Sequence, residues 1–176
     1  MIDDPALQSR AAAIELLVLD VDGVLTDGRI TLTGDGTELK SFHVRDGSGI
    51  VAWRTHGNRV AIISGRTSPA VTLRAAELGI DPVRQGAADK RAALNGILRA
   101  TGKSLEQTCA IGDDLPDLPI LNAVGLAIAV ADACPEVREA AAFVTIANGG
   151  AGAVREAIEW LLKAQNAWAD VLKRFR

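Results

Sequence analysis

The chain has 176 residues, 48% hydrophobic and 23% charged, with a net charge of −3. That is the size and balance of one folded domain with one substantial core, spanning residues 1–176. The charge gives no basic face for nucleic acid. Two cysteines, Cys109 and Cys134, are too few for a disulfide framework, and no Cys or His group has zinc-ligand spacing. The opening Met-Ile-Asp-Asp-Pro lacks a signal-peptide pattern, and the longest apolar stretch, residues 123–131, is too short to span a bilayer. The expectation is a cytoplasmic protein with no membrane partner.

Taken in order, residues 14–19 form an almost unbroken apolar run, as a central parallel strand requires. Residues 29–33 and 38–42 alternate polar and apolar around the turn signal Gly34-Asp35-Gly36, which predicts a β-hairpin inserted at about 28–43. A helix fits between Gly47 and Thr55 and places Trp53 in the core, with His56 on the loop beyond it. Residues 59–63 give a second buried strand. Residues 68–78 read as a helix closed by Gly79, and residues 90–100 as another ending near Gly102. Residues 108–111, 125–129 and 143–146 supply three more strands. A last amphipathic helix covers 154–162 within a C-terminal segment of about 152–176, where Trp160 and Trp168 suit core or subunit contacts. Strand alternating with helix predicts an open α/β sheet, parallel and flanked by helices.

In such sheets ligands bind beyond the carboxyl ends of the strands. After the first strand comes Asp20-Val21-Asp22-Gly23-Val24; after the second, Ser64-Gly65-Arg66; after the third, Gly112-Asp113-Asp114 and then Asp117. Lys90 follows the loop at Gln85-Gly86. These groups suit phosphoryl transfer. A phosphate monoester repels an anionic nucleophile, so a carboxylate can attack only when charge is neutralised. Magnesium does this through hard oxygen ligands, and Asp20 and Asp113 can hold it. Lys90 adds positive charge on the phosphate oxygens and Ser64 a hydrogen bond. Asp20 is then the nucleophile of an aspartyl-phosphate, and Asp22, two residues on, the acid/base. Gly23 lets the backbone come close to the phosphate. Taken singly, each piece has an ordinary explanation: a turn, a helix cap, a solvated lysine. The joint occurrence of all four, each at a strand end, favours the functional reading. Gly149-Gly150-Ala151-Gly152 is a weak dinucleotide-like cue, since Arg155 stands where a third glycine belongs.

These four motifs resemble those of the haloacid dehalogenase superfamily of phosphatases. The segment Asp20 to Gly28, the hairpin ending in Val44-Arg45-Asp46-Gly47 and residues 152–156 are most similar to its branch of 3-deoxy-D-manno-octulosonate 8-phosphate phosphatases. The resemblance covers about residues 14–165. It implies a Rossmann-like fold without a large cap domain and a homotetramer whose hairpins pack together and whose neighbours help close each site. It implies magnesium on the Asp20 and Asp113 side chains and the Asp22 backbone carbonyl, with Asp114 and Asp117 behind them. It implies substrate contacts from His43, Val44, Arg45, Asp46, Gly47, Arg66, Arg74 and Lys90, beside the phosphate-binding Ser64 and Gly65. An acidic sugar phosphate, as lipopolysaccharide synthesis uses, needs several such cations. Val51 and Ala151 stand where that branch often has basic or polar residues. A related branch acts on nine-carbon sialic-type acid 9-phosphates, and a phospho-accepting receiver module also gathers aspartates and a lysine at strand ends.

Overall fold

A computed structural model describes residues 4–174; the opening Met1 to Asp3 of the signal-peptide reading and the end of the C-terminal segment lie outside them. Helix α1 (Pro5–Ala12) precedes strand β1 (Leu16–Leu19), every residue of which is buried. A two-stranded antiparallel hairpin follows, β2 (Thr31–Leu32) and β3 (Glu38–Leu39), then α2 (Val44–Thr55). The rest alternates: β4 (Arg59–Ile63), α3 (Pro69–Leu78), β5 (Val83–Arg84), α4 (Lys90–Thr101) and β6 (Thr108–Gly112). After a short 3₁₀ turn come α5 (Leu118–Leu121), β7 (Leu126–Ala129), α6 (Pro135–Ala140), β8 (Phe143–Val144), α7 (Ala153–Ala164) and α8 (Trp168–Lys173).

Six strands form one parallel sheet in the order β5-β4-β1-β6-β7-β8. The continuously apolar β1 lies centrally between β4 and β6, as its lack of alternation requires. Helices flank the sheet: α2 packs on α7 and reaches β4, while α4 covers β4 and α5 covers β6 and β7. This is a Rossmann-like arrangement with no large cap among the described residues, and one apolar cluster runs through it from Leu7 to Val171. Trp53 is core, its indole N–H donating to the Arg59 carbonyl at 2.9 Å, and Trp160 stacks on Phe143 at 4.6 Å. Cys109 is buried, and burial raises its thiol pKa.

Several boundaries differ from the sequence expectation. The hairpin strands are only two residues each, with Ile30, Leu32 and Leu39 exposed by 57%, 62% and 52%. Helix α2 starts at Val44, so 44–47 form its first turn and not an extension of the hairpin; the His43 imidazole caps it, Nδ1 accepting from the Arg45 amide at 3.3 Å. Strand β8 stops at Val144 because the Ile146 and Ala147 amides turn to the Glu156 carboxylate, each at 2.9 Å. The glycine-rich segment at 149–152 packs on protein backbone. A Cβ on Gly149 would lie 1.7 Å from the Gly23 carbonyl oxygen, and one on Gly150 would lie 2.4 Å from Thr26 backbone. These glycines let the segment lie against the loop that follows β1.

Candidate active site

The carboxyl ends of β1, β4 and β6 open into one cleft of about 320 Å³. Asp20, Asp22, Ser64, Gly65, Arg66, Lys90, Asp113, Asp114 and Asp117 all line it. Parallel pairing sets this up. Leu19 sits level with Ile62 and Ile111, so the chain leaves the three strands at one height. The Asp20 amide donates to the Ile111 carbonyl at 3.2 Å, which pins the residue to the edge of β6.

Lys90 is the hub. Its ammonium lies 3.0 Å from Asp20 Oδ1 and 2.6 Å from Asp117 Oδ1. It is the first residue of α4, whose N-cap Asp89 accepts from the Ala92 amide at 2.9 Å. A cation there opposes the helix dipole, and its burial adds cost. Burial alone would lower its pKa, but the Asp20 and Asp117 carboxylates outweigh it and hold the ammonium above its ordinary value. Asp117 is fully committed: its other oxygen accepts from the Asp113 amide at 3.1 Å and the Asp114 amide at 3.4 Å. Ser64 is buried and its hydroxyl oxygen accepts from the Arg66 amide at 3.2 Å; it does not cap α3, which begins at Pro69 with Ser68 as N-cap.

Oxygens of Asp20, Asp113 and Asp117 come within 4.8 Å of one another. Asp117 already accepts from Lys90 and two amides, which leaves Asp20 and Asp113 as the freer carboxylates for a cation. Asp113 Oδ1 is buried with no hydrogen-bond partner, an arrangement that a bound hard cation would satisfy. Burial, reinforced by the Asp117 charge, pushes Asp20 up to about 6. Burial, reinforced by Asp20, Asp117 and Asp114, pushes Asp113 up to about 7. An all-oxygen, like-charged pair of this kind fits magnesium. Gly23 is dictated by this packing: its φ is +90°, and a Cβ there would lie 2.0 Å from Asp113 Oδ2.

The remaining candidates stand elsewhere. His43, Asp46, Gly47 and Arg74 line a narrow cavity of about 10 Å³ beside α2 and α3. Arg45 lines another with Gly152 and Arg155, and Val44 projects outward. Asp46 is turned inward, where its carboxylate accepts from the Gly152 amide at 3.2 Å and the Arg155 amide at 2.8 Å. It therefore caps α7, and burial raises its pKa. Gly47 leaves room for Arg74, whose Nη2 would lie 2.3 Å from a Cβ there.

Sequence reasoning missed three residues that brace the cleft from behind its lining. Thr26, buried, accepts from the Gly28 amide at 3.2 Å and braces the loop after Asp20. Lys40, from the hairpin, bonds Asp22, and Glu38 pairs with Arg66 at 2.6 Å. Alternation marks both hairpin charges as solvent-facing, and only the closure of the hairpin over the cleft reverses that.

Residues 83–158 match the haloacid dehalogenase-like hydrolase model. A 3-deoxy-D-manno-octulosonate 8-phosphate phosphatase of Salmonella typhimurium is 46% identical, with 92% of this chain and 86% of that relative covered. The chain belongs to the haloacid dehalogenase-like hydrolases. Among solved structures of that family, the corresponding phosphatase of Moraxella catarrhalis, in complex with magnesium, phosphate and the sugar acid, superposes with a TM-score of 0.95 at 42% identity, covering 97% of this chain and 98% of that one. The cobalt-bound Haemophilus influenzae phosphatase gives 0.90 at 40% identity, covering 94% and 98%.

Proposed function

We propose that this chain is a magnesium-dependent phosphatase that hydrolyses 3-deoxy-D-manno-octulosonate 8-phosphate through an aspartyl-phosphate. The observation that carries the reading is Lys90 held between Asp20 and Asp117, with the unpartnered Asp113 oxygen in the same cleft. The Salmonella and Moraxella proteins support the choice of sugar.

Asp20 attacks phosphorus; its oxygen–phosphorus bond forms as the bond to the sugar oxygen breaks. Asp22 gives the departing oxygen its proton and then takes one from the water that attacks the aspartyl-phosphate, which frees phosphate and restores Asp20. Lys90 orients Asp20 and neutralises charge on the phosphate oxygens, and Ser64 and the backbone at Gly65 offer hydrogen bonds. Asp20, Asp113 and the Asp22 carbonyl would hold magnesium, which would supply the remaining neutralisation and orientation. Arg66 lies at the cleft mouth, where a substrate carboxylate can reach it.

His43, Arg45 and Arg74 stand outside this chain's own cleft. They serve substrate if the protein assembles as a homotetramer in which one subunit's α2 and α3 complete its neighbour's site. The exposed Ile30, Leu32 and Leu39 on a hairpin with open edges support such assembly. A place in lipopolysaccharide synthesis, in the cytoplasm, follows from the substrate; no helix among the described residues is long and apolar enough to cross a membrane.

Asp20→Asn removes the nucleophile, and magnesium-dependent phosphate release should fall to background. Retained turnover in that variant would overturn the reading. Parallel assays on the eight-carbon 8-phosphate and a nine-carbon sialic-type 9-phosphate decide the sugar; Val51 and Ala151 are the departures that make the comparison worth running.

A further inference from the structure

Lys40 has no role in the chemistry above, yet its side chain is only 2% exposed on a hairpin whose apolar residues face solvent. Burying an ammonium is unfavourable unless partners compensate. Its partners are the carboxylate of Asp22, with which it makes a direct charged hydrogen bond, and that of Glu38, 3.6 Å away. Glu38 in turn accepts from Arg66 Nη2 at 2.6 Å, and Arg66 Nε lies 3.7 Å from the second Asp22 oxygen. The four side chains close a ring of alternating charge, Asp22–Lys40–Glu38–Arg66. Three of its members come from outside the β1 loop, so the orientation of Asp22 is set by the hairpin and by the loop after β4.

We infer that Lys40 is a positioning residue for proton transfer at the leaving group: it holds the Asp22 carboxylate in the orientation that meets the departing oxygen. The inference rests on the phosphatase reading and on Asp22 as acid/base. Without Lys40, Asp22 would keep only the longer contact to the half-exposed Arg66, and its carboxylate would no longer be fixed. No covalent step is added: Asp22 enters the step protonated on Oδ2 while Oδ1 accepts from Lys40, passes that proton to the alcohol oxygen, and leaves the step as the carboxylate of the ring.

The discriminating measurement is single-turnover kinetics on two substrates with magnesium saturating. An alkyl sugar phosphate needs a proton as its oxygen departs, whereas the nitrophenolate of p-nitrophenyl phosphate leaves without one. Lys40→Met should slow alcohol release by about tenfold to a hundredfold, a share of the roughly 10²–10⁴ that general acid catalysis supplies. Nitrophenolate release should be little changed, and Lys40→Arg should recover part of the loss. In an Asp22→Asn background, Lys40→Met should have no further effect. Equal slowing on both substrates, or the same slowing without Asp22, overturns the inference. Should Lys40→Met fail to fold, Glu38→Gln loosens Lys40 from one side and should give the same substrate split in weaker form; an even loss again overturns it. Failure of the phosphatase reading itself is separate, since it appears as retained turnover in Asp20→Asn.

Discussion

At the scale of single residues, Lys90 breaks a local rule and Gly23 obeys a non-local one. A helix prefers acidic residues in its first turn, and Lys90 stands there buried because Asp20 and Asp117 require it. The raised carboxyls have a consequence for pH. In the unfolded chain an aspartate titrates near about 4; in the metal-free fold Asp20 titrates at about 6 and Asp113 at about 7. The fold therefore binds these protons more tightly. Their contribution is fully present below the unfolded value and is lost as pH rises to about 7. Magnesium must displace the same protons. The upward shift in melting temperature on adding magnesium should thus be small at acidic pH and grow as pH rises through that value. Melts with magnesium or chelator across the range check this, and a shift independent of pH would count against Asp20 and Asp113 as ligands. Gly23→Ala tests the packing: its Cβ would collide with the Asp113 carboxylate at an already left-handed φ. It should cost about 1–3 kcal/mol in denaturant melts and weaken the magnesium response further.

At the scale of elements, the sheet was legible because its strands are monotonous. Five apolar runs gave five of the six sheet strands, and what followed β1, β4 and β6 gave the cleft, since parallel register brings strand ends level. The misread side chains share one cause: their partners lie far along the sequence. Asp46 reads as a ligand beside Arg45 but caps a helix more than a hundred residues later. Lys40 and Glu38 read as solvated because their partners are Asp22 in the loop after β1 and Arg66 in the loop after β4. Helix α1 was missed despite its local signal, Asp4 as N-cap with Pro5 at the first helical position. If Asp46 is a cap, Asp46→Ala should lower stability by about 1–2 kcal/mol and act mainly through α7. Hydrogen exchange of the first turn of α7 measures this; a variant with unchanged exchange but a large rise in KM would restore it to substrate binding.

At the scale of the whole molecule, the hairpin is the element that the isolated chain does not explain. It covers Asp22 with one side and presents Ile30, Leu32 and Leu39 to solvent. Leu32→Asp should convert a tetramer to smaller species in light scattering and reduce turnover where neighbouring subunits complete the site. A wild-type monomer at working concentration would argue against assembly. The glycines at 149 and 150 matter in another way. The Gly150 amide donates to the Val24 carbonyl at 2.9 Å, so the strip that braces the loop after β1 is made more than a hundred residues after it. On the ribosome Asp20 emerges well before that strip, and the loop beside it stays without this backing until residues 149 and 150 have been added and folded against it.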